Sequence, residues 1–110
     1  QSLIASLMHP LSRGSVHLAS SNPSNALTIN PNYFANDVDF DLMARILDFS
    51  LKICDTEPFS TAVQGFILPP SDVIENLQST SNREEVLREY ICQWCGPVSH
   101  PVGMAAMMPR

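Results

Sequence analysis

The sequence predicts an α+β fold in which an antiparallel sheet is covered by helices. Two observations carry this prediction. Short extended segments separated by turn residues occupy the first third of the chain, and two long segments with helical periodicity follow. Strands and helices do not alternate as they do in parallel α/β folds, so we expect antiparallel pairing. The 110 residues allow one domain at most.

Most of the predicted strands lie in the first third of the chain, and one more is predicted later. Residues 3–8 are apolar, and residues 15–19 alternate apolar and polar side chains, so both are predicted to be strands. Residues 20–36 are rich in Ser, Asn and Pro, which predicts a loop with a short strand at 27–29. A further extended segment over residues 62–68 is stopped by a Pro-Pro pair.

The first long helix is predicted from about residue 37 to residue 55. Asn36 is a suitable N-cap, and the three aspartates at residues 37, 39 and 41 complement the positive end of the helix dipole. Apolar side chains recur at helical spacing, which predicts one buried face. The expected stripe consists of Leu42, Ile46, Phe49 and Ile53.

The second long helix is predicted to begin at a capping box formed by Ser81 and Glu84 and to stop at Gly96-Pro97. Ser71 is expected to cap a short turn of helix before it. The apolar face of the second helix is expected to contain Val86, Leu87, Tyr90, Ile91 and Trp94.

Composition excludes several classes of protein. The net charge of −5 has the wrong sign for a protein that binds a phosphate backbone, so no nucleic-acid partner is expected. No apolar run approaches the roughly 20 residues that cross a bilayer, so no membrane span is expected. Three cysteines are too few, and an odd number, for a disulfide framework.

Local motifs leave a weaker alternative open. Cys92 and Cys95 form a C-x-x-C pair that, with His100 and Cys54 or a carboxylate, would describe a small thiol or zinc protein. The D-x-D-x-D run at residues 37–41 opens like a calcium loop, but Leu stands where that loop needs Gly. An acidic helix start explains the aspartates better.

The order of motifs along nearly the whole chain is more specific. The chain contains LMHPLSRGSVHL at residues 7–18, NPNYF at 30–34, then the first long helix, HPVG at 100–103 and MMPR at 107–110. In this order the motifs resemble the C-terminal substrate domain of the glucose-methanol-choline (GMC) oxidoreductases. The similarity is nearest to fungal members of the aryl-alcohol oxidase and dehydrogenase type.

This resemblance implies an FAD-dependent oxidoreductase that acts on CH-OH groups. His100 would be the catalytic general base, taking the proton of a primary alcohol as hydride passes to the flavin and an aldehyde forms. Two substrate-binding positions are implied beside it. Ser99 stands where family members often carry an aromatic side chain, and Met104 where they usually have Thr. The implied partners are a small alcohol and FAD, and the family suggests secretion without fixing the compartment.

Residues 1–110 are therefore expected to be a partial C-terminal substrate domain. The FAD-binding domain, with its Gly-rich phosphate turn, would precede this segment, and a second catalytic His or Asn would follow it. The segment alone is expected to be inactive. An alternative is a truncated domain without catalysis that acts as a binding or interaction module, and flavin binding separates the two hypotheses. In either case we expect an exposed apolar patch that promotes association.

Overall fold

A computed structural model describes residues 3–62, 65–99 and 102–103 of the chain. The elements in these residues are strands β1 (Ser15–His17) and β2 (Thr28–Asn30) and helices α1 (Asp37–Cys54), α2 (Phe59–Ala62), α3 (Ser71–Ser79) and α4 (Arg83–Trp94). The predicted α+β class is confirmed as an incomplete version of that fold. None of the helices in the described residues is long and apolar enough to cross a membrane.

The sheet in the described residues is a two-stranded antiparallel hairpin. Val16 of β1 faces Ile29 of β2, with one further pair on each side. The predicted strand at 15–19 is therefore real but shorter, and the predicted strand at 27–29 begins one residue later. The expected strand at residues 3–8 is wrong, since no strand forms there. An apolar segment becomes a strand only when a neighbour accepts its backbone hydrogen bonds, and β1 and β2 pair with each other instead.

Helix α1 begins where its sequence signals predict. The backbone N–H of Val38 donates to Asn36 Oδ1 at 3.0 Å, which confirms Asn36 as the N-cap. The helix ends at Cys54, one residue earlier than expected. The predicted buried face is wrong, because Phe49 is 64% exposed and Leu42 is 40% exposed. The buried apolar residues of α1 are Phe40 and Leu47, which lie on the side that packs against α4.

The later helices differ from the sequence prediction mainly at their beginnings. The capping box of Ser81 and Glu84 is wrong: α4 begins after Asn82, whose side chain donates to the carboxylate of Glu85. Helix α3 has nine residues and is longer than the short turn expected. Its N-cap is Pro70, and no side chain caps it. The stop at Gly96-Pro97 agrees with the observed end of α4 at Trp94.

The expected strand over residues 62–68 is also wrong. Ala62 is the last residue of α2, and residues 65–68 form no strand. Residues 63–64 of that prediction lie outside the described residues. A run of apolar residues of this length does not by itself distinguish a strand from helix or loop.

The hydrophobic core lies between the helices. Its fully buried members come from α1, α3 and α4 and are Phe40, Leu47, Leu77, Leu87 and Ile91. Each such side chain contributes roughly 1.5–3 kcal/mol by leaving water. Among the described residues the helices pack on one another, and neither strand packs against a helix. The hairpin is therefore held to the helices through the loops at its ends.

Candidate functional site

A cleft of about 150 Å³ opens between the N-terminal loop, the start of α1 and the segment that follows α4. Most of its lining side chains are apolar. They are Ala5, Ser6, Leu7, Pro10, Ser12, Pro31, Tyr33, Phe34, Asp39, Met43, Cys95, Gly96, Pro97, Val98 and Val102. A cleft of this composition favours an uncharged, partly apolar ligand group.

Asp39 anchors the N-terminal loop to the first turn of α1. Its side chain is 1% exposed, and its two oxygens accept the backbone N–H groups of Leu11 and Ser12 at 2.7 and 2.6 Å. Hydrogen bonds to an ionised acceptor are stronger than neutral ones. The loop that contains Ser12, Arg13 and Gly14 is therefore fixed to α1 by a buried carboxylate.

The environment of Asp39 keeps this carboxylate ionised. Burial by itself raises the pKa of the group. The hydrogen bonds from the Ser12 side chain and from the two backbone amides, together with the Arg13 charge, outweigh burial and hold the pKa of Asp39 below its ordinary value. The aspartate is thus charged at neutral pH, and its oxygens are used within the fold.

Asp39 was missed as a site residue by sequence reasoning, which explained it as part of an acidic helix start. The hydrogen bonds join residues 27 and 28 positions apart, so no local pattern reports them. One signal was present. Asp39 lies four residues before Met43 on α1, which places a carboxylate at the edge of an apolar face.

Aromatic side chains join the cleft to the helical core. The rings of Phe34 and Phe40 meet edge to face, with centroids 6.0 Å apart at 78°. The Arg88 guanidinium of α4 lies 3.8 Å from the centroid of Phe40, in a cation–π contact. Phe34 has a φ of 56°, a left-handed conformation that is rare for a bulky residue and is found where surrounding packing holds it.

The segment after α4 carries the sequence-predicted site residues. Ser99 is exposed and has a φ of 60°, and Gly103 has a φ of 80°. The backbone therefore turns through left-handed conformations on both sides of the His-Pro-Val stretch. Val102, within that stretch, lines the cleft. His100 and Met104 lie outside the described residues, so their predicted roles stay predictions.

The thiols of the C-x-x-C pair differ in environment. Cys92 is exposed, and Cys95 is half-buried at the end of α4. Burial, with a smaller contribution from Cys92, raises the pKa of the Cys95 thiol. A nucleophilic or redox-active cysteine needs the opposite shift. Within residues 3–62, 65–99 and 102–103, no three His, Cys, Asp or Glu side chains group together as a metal site.

Comparison with known proteins identifies the family. A model of the GMC oxidoreductase C-terminal domain matches residues 10–110. The chain belongs to the GMC oxidoreductase family. The resemblance of its motifs to this family is thereby confirmed. No solved structure matches the chain significantly.

Several fungal GMC proteins are similar to this chain. Dehydrogenase mpl7 of Monascus purpureus is 32% identical over 106 residues, covering 96% of this chain and 16% of that protein. GMC oxidoreductase family protein Mala s 12 of Malassezia sympodialis is 31% identical over 109 residues, covering 99% and 16%. Glucose oxidase-like protein fsoC of Humicola fuscoatra is 30% identical over 105 residues, covering 94% and 16%. The chain thus spans about a sixth of the length of these curated relatives.

Two features of the chain bear on whether it could hold a whole FAD molecule. The four glycines are too far apart in sequence to form a G-x-G-x-x-G turn, so this segment offers no loop of that kind for a dinucleotide phosphate. The cleft of about 150 Å³ is also smaller than the roughly 300–1,000 Å³ typical of whole-ligand pockets. The cleft is of a size for a small group rather than for a whole dinucleotide.

Proposed function

We propose that this chain forms the substrate side of an FAD-dependent GMC oxidoreductase that oxidises a primary alcohol to an aldehyde. The observation that carries the proposal is the family match over residues 10–110, which includes the His-Pro-Val-Gly segment. Further support comes from the apolar cleft, which is lined by Val98, just before that segment, and by Val102 within it. As a part of such an enzyme, the chain would act with a flavin held mainly by other residues.

In this proposal His100 is the general base. A neutral imidazole accepts the hydroxyl proton of the alcohol, and the ordinary pKa of His, about 6.5, suits proton abstraction near neutral pH. FAD, when bound, supplies the hydride acceptor. An imidazole that is already protonated cannot accept a second proton, so the base works only in its neutral form. Activity should therefore rise with pH through the ionisation of this group.

The substrate-binding roles of Ser99 and Met104 belong to the same proposal. Ser99 is exposed and directly precedes the base, and its side chain is smaller than the aromatic one that family members often carry there. Met104 would add an apolar contact for the carbon chain or ring of the alcohol. The lining favours an uncharged alcohol over a sugar acid or a phosphorylated substrate.

The decisive experiment uses the protein encoded by the complete reading frame that contains this chain, purified with its flavin. Flavin content is measured from visible absorbance, and reduction by benzyl alcohol and by 1-butanol is followed anaerobically. We expect His100→Asn to leave the flavin content unchanged and to slow flavin reduction by roughly 10²–10⁴-fold, the usual contribution of a general base. His17→Asn is the matched control, because His17 is exposed on β1.

Two outcomes contradict the proposal at different levels. A complete protein that binds no flavin is not an FAD-dependent oxidoreductase, and the interaction-module alternative then replaces the enzyme hypothesis. If the protein binds flavin and the His100→Asn variant is reduced by the alcohol as fast as the unaltered enzyme, the general base is another residue.

A further inference from the structure

The cleft between the N-terminal loop, the start of α1 and the segment after α4 has the size of a single six-membered ring. Its volume is about 150 Å³. An apolar cavity of about that volume, engineered into another protein, binds benzene. Pockets that enclose a drug-sized ligand have roughly 300–1,000 Å³. The volume therefore selects a ligand group of about the size of benzene.

The charges around the cleft disfavour an ionic ligand. Among the described residues that line it, Asp39 is the one charged side chain. Its two oxygens accept the backbone N–H groups of Leu11 and Ser12 and are committed within the fold. An anion would meet this ionised carboxylate with no cation of the described lining beside it, and a cation would have to compete with both backbone hydrogen bonds. A neutral ligand group avoids both costs.

Two aromatic side chains and a thioether are part of the lining. Tyr33 and Phe34 come from the loop after β2, and Met43 comes from α1. Aromatic rings attract one another in edge-to-face and offset arrangements, and a methionine sulfur makes favourable contacts with ring edges. Phe34 is itself held by its edge-to-face contact with the buried ring of Phe40. These side chains suit an aromatic ring better than a linear hydrocarbon chain.

The backbone around the cleft is restricted at three places. One proline comes from each of three separate segments: Pro10 in the N-terminal loop, Pro31 after β2 and Pro97 after α4. The pyrrolidine ring of each fixes its φ. Walls that are already ordered lose less conformational freedom when a ligand binds, so more of the contact energy is available for affinity.

A direct contact joins the N-terminal loop to the segment after α4. A Cβ atom at Gly103 would lie 3.1 Å from Arg13 Cδ and 3.5 Å from the backbone oxygen of Ser12, so glycine permits this close approach. Arg13 Nη1 donates to the backbone oxygens of Pro10 and Ser12 at 2.5 and 3.0 Å, which holds the side chain in its own loop. Val102, the neighbour of Gly103, lines the cleft. Two sides of the cleft are therefore in contact at this point.

We propose that this cleft binds a neutral aromatic ring of the size of benzene. The ring is held by apolar contact and needs neither a hydroxyl group nor a charge. Its binding does not depend on the function proposed above, because no group in the cleft has to react. Such a ring has two sources, the alcohol substrate and a separate small molecule, and competition with benzyl alcohol distinguishes them.

The test uses the complete flavin-loaded protein, with fluorobenzene as the probe. Cys95 lines the cleft, whereas Cys92 is exposed and is not part of the lining, so the two thiols report on the cleft and on solvent separately. Their alkylation by iodoacetamide is followed by mass spectrometry of the tryptic peptide that begins at residue 89 and contains both. With a Kd of about 1 mM, fluorobenzene at about 5 mM should slow alkylation of Cys95 roughly sixfold and leave Cys92 unchanged.

Variants place the effect in the cleft. Ala5 lines it, so Ala5→Phe fills part of the space and should abolish the protection of Cys95. Ala19→Phe is the matched control, because Ala19 is exposed after β1 and outside the lining. Val98→Cys supplies a second reporter thiol, since Val98 lines the cleft and is 41% exposed. Benzenesulfonate, an anion with the same ring, should protect neither reporter.

Three outcomes overturn the ring site. The first is an unchanged alkylation rate at both reporter thiols in the presence of fluorobenzene. The second is equal slowing at Cys92, or protection that survives Ala5→Phe, because the probe then acts elsewhere. The third is a pair of reporter thiols that react in concentrated urea but not in the folded protein without probe, which would show that another part of the polypeptide fills the cleft.

Flavin reduction by benzyl alcohol separates the ring site from the proposed function. If fluorobenzene raises KM at constant kcat, the ring in the cleft is that of the alcohol substrate. If KM stays constant while Cys95 is protected, the ring belongs to a separate molecule, and both results support the site. A complete protein that binds no flavin contradicts the proposed function, and the alkylation rates then decide on the ring site alone.

Discussion

A single carboxylate decides how the start of this chain meets its first long helix. Asp39 is buried, ionised and fully used in hydrogen bonds to the loop containing Leu11 and Ser12. A buried charge is tolerated in a protein when hydrogen bonds replace the water it has lost. Asp37 and Asp41 lie close by in sequence but are exposed. Of the three aspartates in this run, Asp39 is therefore the buried one that binds the loop.

Asp39→Asn should destabilise the fold, because the side-chain N–H₂ that replaces one carboxylate oxygen would face the backbone N–H donor that this oxygen accepts. Leaving a buried donor unpaired costs roughly 1–3 kcal/mol, and we expect a loss in that range in the free energy of unfolding, measured by urea denaturation. Asp41→Asn is the exposed control in the same helix. Equal, small losses from both variants would show that the buried hydrogen bonds contribute little.

The lowered pKa of Asp39 also predicts how stability depends on pH. A carboxyl whose pKa is lower in the folded state binds its proton more weakly there than in the unfolded chain. Its contribution to stability is therefore present above the unfolded pKa, about 3.9, and is lost as pH falls through the lower folded value. The free energy of unfolding should decline on acidification in this range, and Asp39→Asn should make the decline shallower.

Arg83 joins three helices at one point. It is the first residue of α4, its Nη1 donates to the backbone oxygen of Leu77 in α3 at 2.7 Å, and its Nη2 bonds the carboxylate of Asp48 in α1. The hydrogen bonds from Arg83 and then Lys52 lower the pKa of Asp48. The Asp48 side chain is 26% exposed and that of Arg83 is 44% exposed, so solvent screens the pair.

Arg83→Met should lower the free energy of unfolding by about 1–2 kcal/mol, mainly through the lost bond to the α3 carbonyl, since a partly exposed ion pair is worth about 1 kcal/mol or less. Lys52→Met removes the other cation from Asp48 and leaves α3 untouched, so its effect should be smaller. The difference between the variants should persist in 0.5 M NaCl. A difference that disappears in salt would assign the effect to charge alone.

The elements were predictable where local chemistry decides them. The start of α1 follows from Asn36, and the end of α4 from Gly96-Pro97. The buried face of α1 was not predictable, because two stripes share the same spacing and only the docking of α4 chooses between them. The expected stripe is Leu42, Ile46, Phe49 and Ile53, and the stripe that faces the core is Phe40, Ala44, Leu47 and Leu51.

The candidate site was likewise predictable from the sequence only in part. The motif order along the chain predicted the family, which the match over residues 10–110 confirms. The left-handed backbone at Ser99 could not be predicted, since Ser is not a residue that favours it. The Arg13–Gly103 contact joins residues 90 positions apart in sequence, and no local signal encodes a packing contact of that kind.

At the scale of the whole molecule the chain is elongated and leaves much apolar surface exposed. Its radius of gyration is 17.6 Å, whereas a compact domain of this length has about 13 Å. The accessible surface is 8652 Å², against about 6,000 Å² expected for a compact protein of this mass. The hairpin contributes an apolar face, on which Val16 lies opposite Ile29 and both are exposed, with exposed Leu18 and Leu27 next along the strands.

Produced by itself, the 110-residue chain should therefore self-associate. Exposed apolar faces of this kind, and the free edges of a two-stranded sheet, promote contact between copies. We expect sedimentation velocity to show concentration-dependent assembly between about 5 and 200 μM, together with strong binding of the dye ANS. The double variant Leu18→Thr and Ile29→Thr should weaken the assembly by about tenfold, because it removes apolar area without touching the helical core. His17→Thr, on the other face of β1, is the control. A monomer at all concentrations that binds no ANS would contradict this reading of the exposed surface.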